Sequence, residues 1–402
     1  MRYAEAGQAL RSDRRNFPSS GANRLRSDGT PAVCGETRPR SANRVRRMRW
    51  IAGLGVVGAA AVVFIKRRNS KSDLGYYRKA MTLVREAGFT EKQADVGGYR
   101  TNYAEGPARG TPLLLIHGQG SRWQDYQRVL PELAEQHHVY AIDVYGHGGS
   151  ARLPGDEYTN VRIGELVARF VDEVIGAPVL LAGHSSGGLI ATWLAAARPD
   201  LVRGAVLEDP PYYSSIMPRA AQTTGGDMAR VTHDFLGQAH ERNFSRYYIE
   251  NSGIFSFFGP LARPITAYSR RYLRTHPGRP LEVFFLPPVL NIFFRGIADY
   301  DPLFGASWFD NDWYRGFDTE ASLSAITAPA VLIHTNYWFQ HRKSYYDKNG
   351  ILMAAMDDKD VGKVLAHLPT ATLVEVDSGH NVHFERPDVF VRAVRELAAK
   401  VE

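Results

Sequence analysis

Residues 183–187 read Gly-His-Ser-Ser-Gly, directly after an apolar run and directly before a helical pattern that continues through Ala196. A sharp strand-to-helix turn presents a serine oxygen at its tip, and small residues two positions to either side let the backbone bend that tightly. Gly183 and Gly187 hold those positions, so Ser185 is the candidate nucleophile. A glycine-rich turn alone would say little; the strand before it and the helix after it favour the catalytic reading. A serine hydroxyl is weak until a nearby base takes its proton. Near the C-terminus a strand through Val376 runs into Asp377-Ser378-Gly379-His380-Asn381-Val382-His383. A loop lets an imidazole reach the nucleophile and then pass the proton on, which makes His380 the expected general base. His383 reads as a packing or loop-stabilising residue.

Attack of serine on an acyl carbon builds negative charge on the former carbonyl oxygen, which must be met by two fixed backbone N–H groups. One follows the nucleophile, at Ser186. The other is expected from the turn in Leu113 to Gly120, LLLIHGQG, with Gln119 as the donor. His117 in the same turn is read as structural, holding the bend at the strand end.

Such turns have to be carried to one place by regular elements. Beyond about Lys92 short apolar runs alternate with helical patterns, which argues for a mostly parallel sheet covered by helices. Strands are expected at 113–117, 139–144, 179–184, 204–207, 330–334 and 372–376, with an initial antiparallel pair at 93–97 and 100–104 around Gly97-Gly98. The alternation stops after Pro211 and resumes near Ile326. Residues 212–325 are rich in aromatics, Pro and Arg, and include Phe255, Phe284, Phe293, Trp308 and Trp313. That is too apolar for a solvated loop of such length, so an inserted subdomain that covers something is expected.

Taken in order, His117-Gly118, Asp143 with Gly146-His147-Gly148 and Ser150, Gly183 to Gly187, and Gly379-His380 resemble the α/β-hydrolase superfamily over roughly residues 92–401, the insertion excepted. The resemblance implies an α/β fold, a mostly parallel sheet flanked by helices, in two core parts (92–211 and 326–402) around a mainly helical cap at 212–325. It implies a structural role for the loop of Asp143 and Gly148. The family's acid often follows the strand that ends here at His334, but Thr335-Asn336-Tyr337 offers no carboxylate. Some members carry the acid after the preceding strand, where Glu208 and Asp209 stand, and Asp209 aligns best. Glu208, Asp347, Asp357 and Asp358 are the alternatives, with Asp357 also read as capping the helix through Leu365. A serine nucleophile argues against the alkyl-ester chemistry of relatives that use Asp in its place. Acyl-enzyme chemistry remains: carboxylic esters first, then thioesters, lactones, amides or C–C cleavage. A non-catalytic ligand-binding member of the fold is the competing class. The aromatic cap points to an apolar acyl or alcohol group in the substrate.

Hydrophobic residues at 44% and charged residues at 23% are those of a folded chain. The net charge of +7 is concentrated at the start, where residues 1–49 hold twelve Arg against four carboxylates. Residues 73–402 are net acidic, which argues against a nucleic-acid groove in the body. Residues 1–49 read as a basic, disordered tail, or in part as sequence upstream of a true start at Met48. Residues 50–65 are all apolar or Gly, with Arg46, Arg47 and Arg49 on one side and Lys66, Arg67 and Arg68 on the other. Sixteen residues fall just short of the roughly 17 to 25 of a spanning helix, and snorkelling basic side chains extend the reach. A single membrane anchor contacting lipid is expected, with a cleaved signal peptide as the rival, followed by a juxtamembrane segment at 66–91. The only cysteine, Cys34, excludes an intrachain disulfide. No metal cluster or phosphate loop is visible, so no cofactor is expected.

Overall fold

The computed structural model describes residues 76–336 and 344–401. Eight strands form one sheet: β1 (Thr90–Val96), β2 (Tyr99–Glu105), β3 (Thr111–Ile116), β4 (His137–Ile142), β5 (Val179–His184), β6 (Val202–Glu208), β7 (Ala330–Thr335) and β8 (Ala371–Val376). Their spatial order is β1-β2-β4-β3-β5-β6-β7-β8. β1 and β2 are joined by Gly97-Gly98, both at positive φ, and pair antiparallel from Val96↔Tyr99 outward. Two residues at positive φ suit the twist of a tight hairpin, which is why glycines stand there. From β4 through β8 every pairing is parallel.

Parallel strands covered by helices on both faces need apolar side chains on both, so they read as unbroken apolar runs. β5 (VLLAGH) and β7 (AVLIHT) are buried at every position. The sheet edges differ. β1 (TEKQADV) is mostly exposed and charged, with Lys92 paired to Glu105 at 2.7 Å, a composition that discourages another strand from adding there. On one face lie Tyr126, Leu130 and the C-terminal helix Pro387–Val401, which buries Val389, Phe390, Val394 and Leu397. On the other face the helices Asn160–Phe170 and Ser186–Ala197 join a larger core.

Between β6 and β7 the chain is largely helical, with its longer helices at Thr224–Leu236, Phe244–Asn251, Ala262–Thr275, Pro288–Gly296 and Pro302–Phe309. It is locked to the sheet domain by a polar pin and an aromatic cluster. Asp301 accepts from the Tyr158 hydroxyl at 2.8 Å, and its own N–H donates to Gly146 O at 2.7 Å. Fully buried Phe304 sits among His147, Tyr158, Tyr300 and Trp313, and Trp308 stacks on Trp313 with centroids 4.4 Å apart. Residues 50–65, where an anchor was expected, lie outside the described residues. No helix among the described residues is long and apolar enough to cross a membrane.

Candidate active site at the carboxyl ends of β5 and β6

Ser185 follows the last residue of β5 and precedes the helix Ser186–Ala197, at φ 54° and ψ −120°. A non-glycine residue pays for such a backbone with strain, and its neighbours show what holds it there. A Cβ on Gly183 would run into the Gly187 carbonyl, and one on Gly187 into the carbonyls of Ile116 and His117. The Ser185 N–H donates to Glu208 O at 2.9 Å, tying the bend to β6.

Asp209 follows β6 directly and is also left-handed, at φ 47°. Its N–H donates to Ile333 O at 2.8 Å, and its carboxylate is fully buried. Oδ2 accepts from His380 Nδ1 at 2.7 Å and from the Thr335 hydroxyl at 2.6 Å, while Oδ1 accepts from the Thr335 N–H at 3.1 Å. Burial alone would raise its pKa, yet the side chains of His334 and His380 hold it well below the usual carboxylate range. Of these two, His380 makes the hydrogen bond. His334 Nδ1 lies 3.4 Å from Oδ1 and is not aligned as a donor.

His380 lies on the loop after β8 and is partly buried. Its carbonyl accepts from His184 Nε2 at 3.0 Å, so the residue preceding Ser185 also fixes the backbone of the histidine. Donation to a carbonyl sets the His184 tautomer. Burial, and then the charges of His380 and His383, hold its pKa well below the ordinary histidine value, so it stays neutral. Glu208 points the other way. Its Oε1 accepts from both the N–H and Nδ1 of His383, each at 2.9 Å. Glu208, the last residue of β6, and Asp209, just after it, thus take hold of one loop at two points.

The turn after β3 is held by two buried, neutral histidines. His117 Nε2 accepts from the Val144 N–H at 2.9 Å while Nδ1 donates to Gly118 O at 2.8 Å. His147 Nε2 accepts from the Gly120 N–H at 3.1 Å, and burial lowers its pKa to about 4. Gly118 comes so close to Ser185 that a Cβ would lie 2.8 Å from the serine's own. The N–H groups of Gln119 and Ser186 donate to no acceptor among the described residues. The Gln119 side chain is turned away and donates to the Tyr300 hydroxyl at 2.6 Å. Asp143 accepts from the N–H groups of Trp123 and Gly149 and from Asn102, each at 2.8 Å, which pins the loop of Gly146 to Ser150.

The other acids are occupied elsewhere. Asp357 caps the helix Asp358–His367, Asp358 accepts from Tyr345 at 2.8 Å, and Asp347 accepts from the N–H groups of Asn349 and Ile351. Sequence reasoning did not find Thr335 and His184 as supports. Their signal was a polar residue at the end of an otherwise apolar buried strand, where a hydroxyl or imidazole must have a partner. No group of His, Cys, Asp or Glu that could hold a metal ion occurs among the described residues.

A mostly parallel eight-stranded sheet with a serine on a strained strand-to-helix turn defines a class, and the alpha/beta hydrolase family profile matches residues 113–393. The chain belongs to the alpha/beta hydrolase family. It is 29% identical over 166 residues to (E)-2-((N-methylformamido)methylene)succinate hydrolase of Acinetobacter baylyi, covering 40% of this chain and 60% of that protein. It is 40% identical over 109 residues to the lipase LipV of Mycobacterium tuberculosis, covering 26% and 38%. In both cases the match spans less than two thirds of the relative's length. Among solved structures it is similar to a membrane phospholipase A described as a bacterial virulence factor, with a TM-score of 0.55 and 22% identity over 89% of this chain and 98% of that one. At that identity the likeness is one of fold. These relatives are named for different substrates, so membership alone leaves the bond that is cleaved open.

Proposed function

We propose that the chain is a serine hydrolase that cleaves a carboxylic ester of an apolar substrate through an acyl-enzyme. The observation that carries this reading is the 2.7 Å hydrogen bond between Asp209 Oδ2 and His380 Nδ1, beside the turn that bears Ser185. Buried and anionic, Asp209 keeps the imidazole proton on Nδ1, so Nε2 is the nitrogen that accepts the Ser185 proton. The serine oxygen then attacks the ester carbonyl, and the N–H groups of Gln119 and Ser186 receive the oxyanion. His380 returns the proton to the departing alkoxide, leaving an acyl-serine. Water, deprotonated by the same imidazole, repeats the sequence and releases the acid.

The preference for an apolar group rests on the aromatic segment between β6 and β7. Its Phe293 packs close to Gly120, and its Tyr300 contacts Gln119 on the expected oxyanion turn. Fluorophosphonate labelling mapped to a peptide, followed by esters of increasing acyl length, tests both parts. Label on Ser185 with a preference for longer chains is expected. A folded protein that takes no label would reject the enzyme reading in favour of a ligand-binding one.

The apolar run 50–65, bounded by basic clusters, supports a second element of the proposal, that this segment holds the chain at a membrane. Release of the full chain by a carbonate wash without detergent would remove it.

A further inference from the structure

The helix Ala262–Thr275 and its flanking turns carry a surface that ester hydrolysis does not use. The helix (ARPITAYSRRYLRT) has no acidic residue, and its buried side chains, Ile265, Ser269 and Leu273, recur every fourth position along one stripe. Leu261, at the N-cap, continues that row one step before Ile265, where the core ends, and Tyr268 falls beside it at 100° per residue. Both are open to solvent, Leu261 by 62% and Tyr268 by 39%. Phe257 and Phe285 are each 36% exposed, and the Phe285 ring lies 6.2 Å from that of Tyr268. Large apolar side chains grouped in this way mark an interaction site more often than single ones do.

The solvent side of the same helix, next to these residues, is cationic. Arg263, Arg271 and Arg274 on the helix and Arg279 just after it are exposed, and none has an ion-pair partner among the described residues. Two acids of the same segment are engaged by other arginines, Glu250 with Arg270 at 2.7 Å and Glu282 with Arg295. Four uncompensated guanidinium groups repel one another, and an exposed Leu261 gains nothing from water. A nucleic acid would answer the charge and leave the apolar side chains wet. An anionic bilayer answers both, because its headgroups pair with arginine while the acyl boundary accepts leucine and aromatic rings.

We propose that this helix, with Leu261, Tyr268 and Phe285 as the apolar contact and Arg263, Arg271, Arg274 and Arg279 on its cationic side, docks on a membrane surface containing anionic lipid. The contact is separate from residues 50–65 and involves another part of the chain. It belongs to the segment whose Phe293 and Tyr300 border the Gln119 turn.

The test reads this face locally in the full chain, so that insertion by residues 50–65 does not obscure it. In a Cys34→Ser background, which removes the only native cysteine, Tyr268→Cys or Leu261→Cys carries an environment-sensitive fluorophore, with Leu83→Cys as an exposed control. The protein is reconstituted in phosphatidylcholine vesicles with or without phosphatidylglycerol. With the anionic lipid, emission from positions 261 and 268 should shift to the blue and be quenched by spin-labelled lipid several-fold more than at position 83. High salt, or joint replacement of the four arginines by glutamine, should abolish the difference. Hydrolysis of a soluble short-chain ester should stay at the unsubstituted level in that fourfold variant, which separates failure of docking from failure of the Ser185 mechanism. Water-like emission at 261 and 268 on anionic vesicles overturns the proposal. So does a shift that survives loss of the four arginines, or one that a soluble polyanion produces equally well without vesicles.

Discussion

At the carboxyl ends of β5 and β6 each buried carboxylate has its donors: Thr335 and His380 for Asp209, His383 for Glu208. The helical segment between β6 and β7 is assembled differently. There, Phe304, Trp308 and Trp313 fill space against one another, and the indole N–H groups of Trp308 and Trp313 find no partner among the described residues. Hydrogen bonds specify direction, whereas apolar packing chiefly specifies volume. Substitutions at the strand ends should therefore cost reactivity with the fold retained, and substitutions in the helical segment should cost stability.

The largest effect is expected for Ser185→Ala, with ester turnover falling by about 10⁴ to 10⁶ and probe labelling lost while the thermal midpoint hardly moves. Turnover near that of the unsubstituted protein would end the mechanism. Next comes Asp209→Asn, expected to lower turnover about 10⁴-fold, since an amide facing Nδ1 favours the wrong imidazole tautomer. Circular dichroism should show the fold intact, and a modest rate loss would move the acid's role elsewhere. In the other region, Phe304→Ala removes a fully buried ring and is expected to destabilise by about 3–5 kcal/mol in denaturant titration. The rate per folded molecule on a short ester should change far less than in the first two variants. A rate loss comparable with that of Asp209→Asn would erase the contrast between the two regions.

The smallest effect concerns Asp125, a buried carboxyl whose pKa burial raises to about 7, with Arg122 opposing the shift. In the unfolded chain it titrates near the ordinary value of about 3.9. Between those two values the folded state holds the extra proton, so this group makes stability decline as pH rises, by up to about 1.4 kcal/mol per unit, and the decline levels off above pH 7. Asp125→Asn should flatten that slope and raise the thermal midpoint at pH 8 more than at pH 5. Equal shifts at both values would mean that the carboxyl is ionised throughout.

The sheet was legible because its strands are short apolar runs bounded by Gly, Pro or polar residues: strands were expected at 113–117 and 330–334 and lie at Thr111–Ile116 and Ala330–Thr335. The antiparallel pair around Gly97-Gly98 was expected at 93–97 and 100–104 and lies at Thr90–Val96 and Tyr99–Glu105, longer because its polar edge strand has no apolar run to mark it. Asp209 came from motif order, and the structure adds how it is held. Thr335 and His380 reach it from 126 and 171 residues away, and local periodicity carries no signal of such contacts. In the helical segment the aromatic content announced a core, but its several short helices have no common period from which their packing could be derived. The exposed edge of the helix Ala262–Thr275 was hidden for a related reason. Composition counts Leu261 and Tyr268 as apolar without saying that the core closes without them.

Because Glu208 ends β6 and Asp209 follows it, the pairing of β6 with β5 and β7 decides which carboxylate serves which histidine. A slip by one residue would put Glu208 where Asp209 now meets His380, or Asp209 where Glu208 now meets His383, and leave the other histidine without its carboxylate. Descendants of this sequence are therefore free to lengthen or shorten the chain after Pro211, where about a hundred residues already loop out and return, but not between Ala205 and Asp209. Inherited gaps should crowd the first stretch and spare the second, even where side chains in both have drifted.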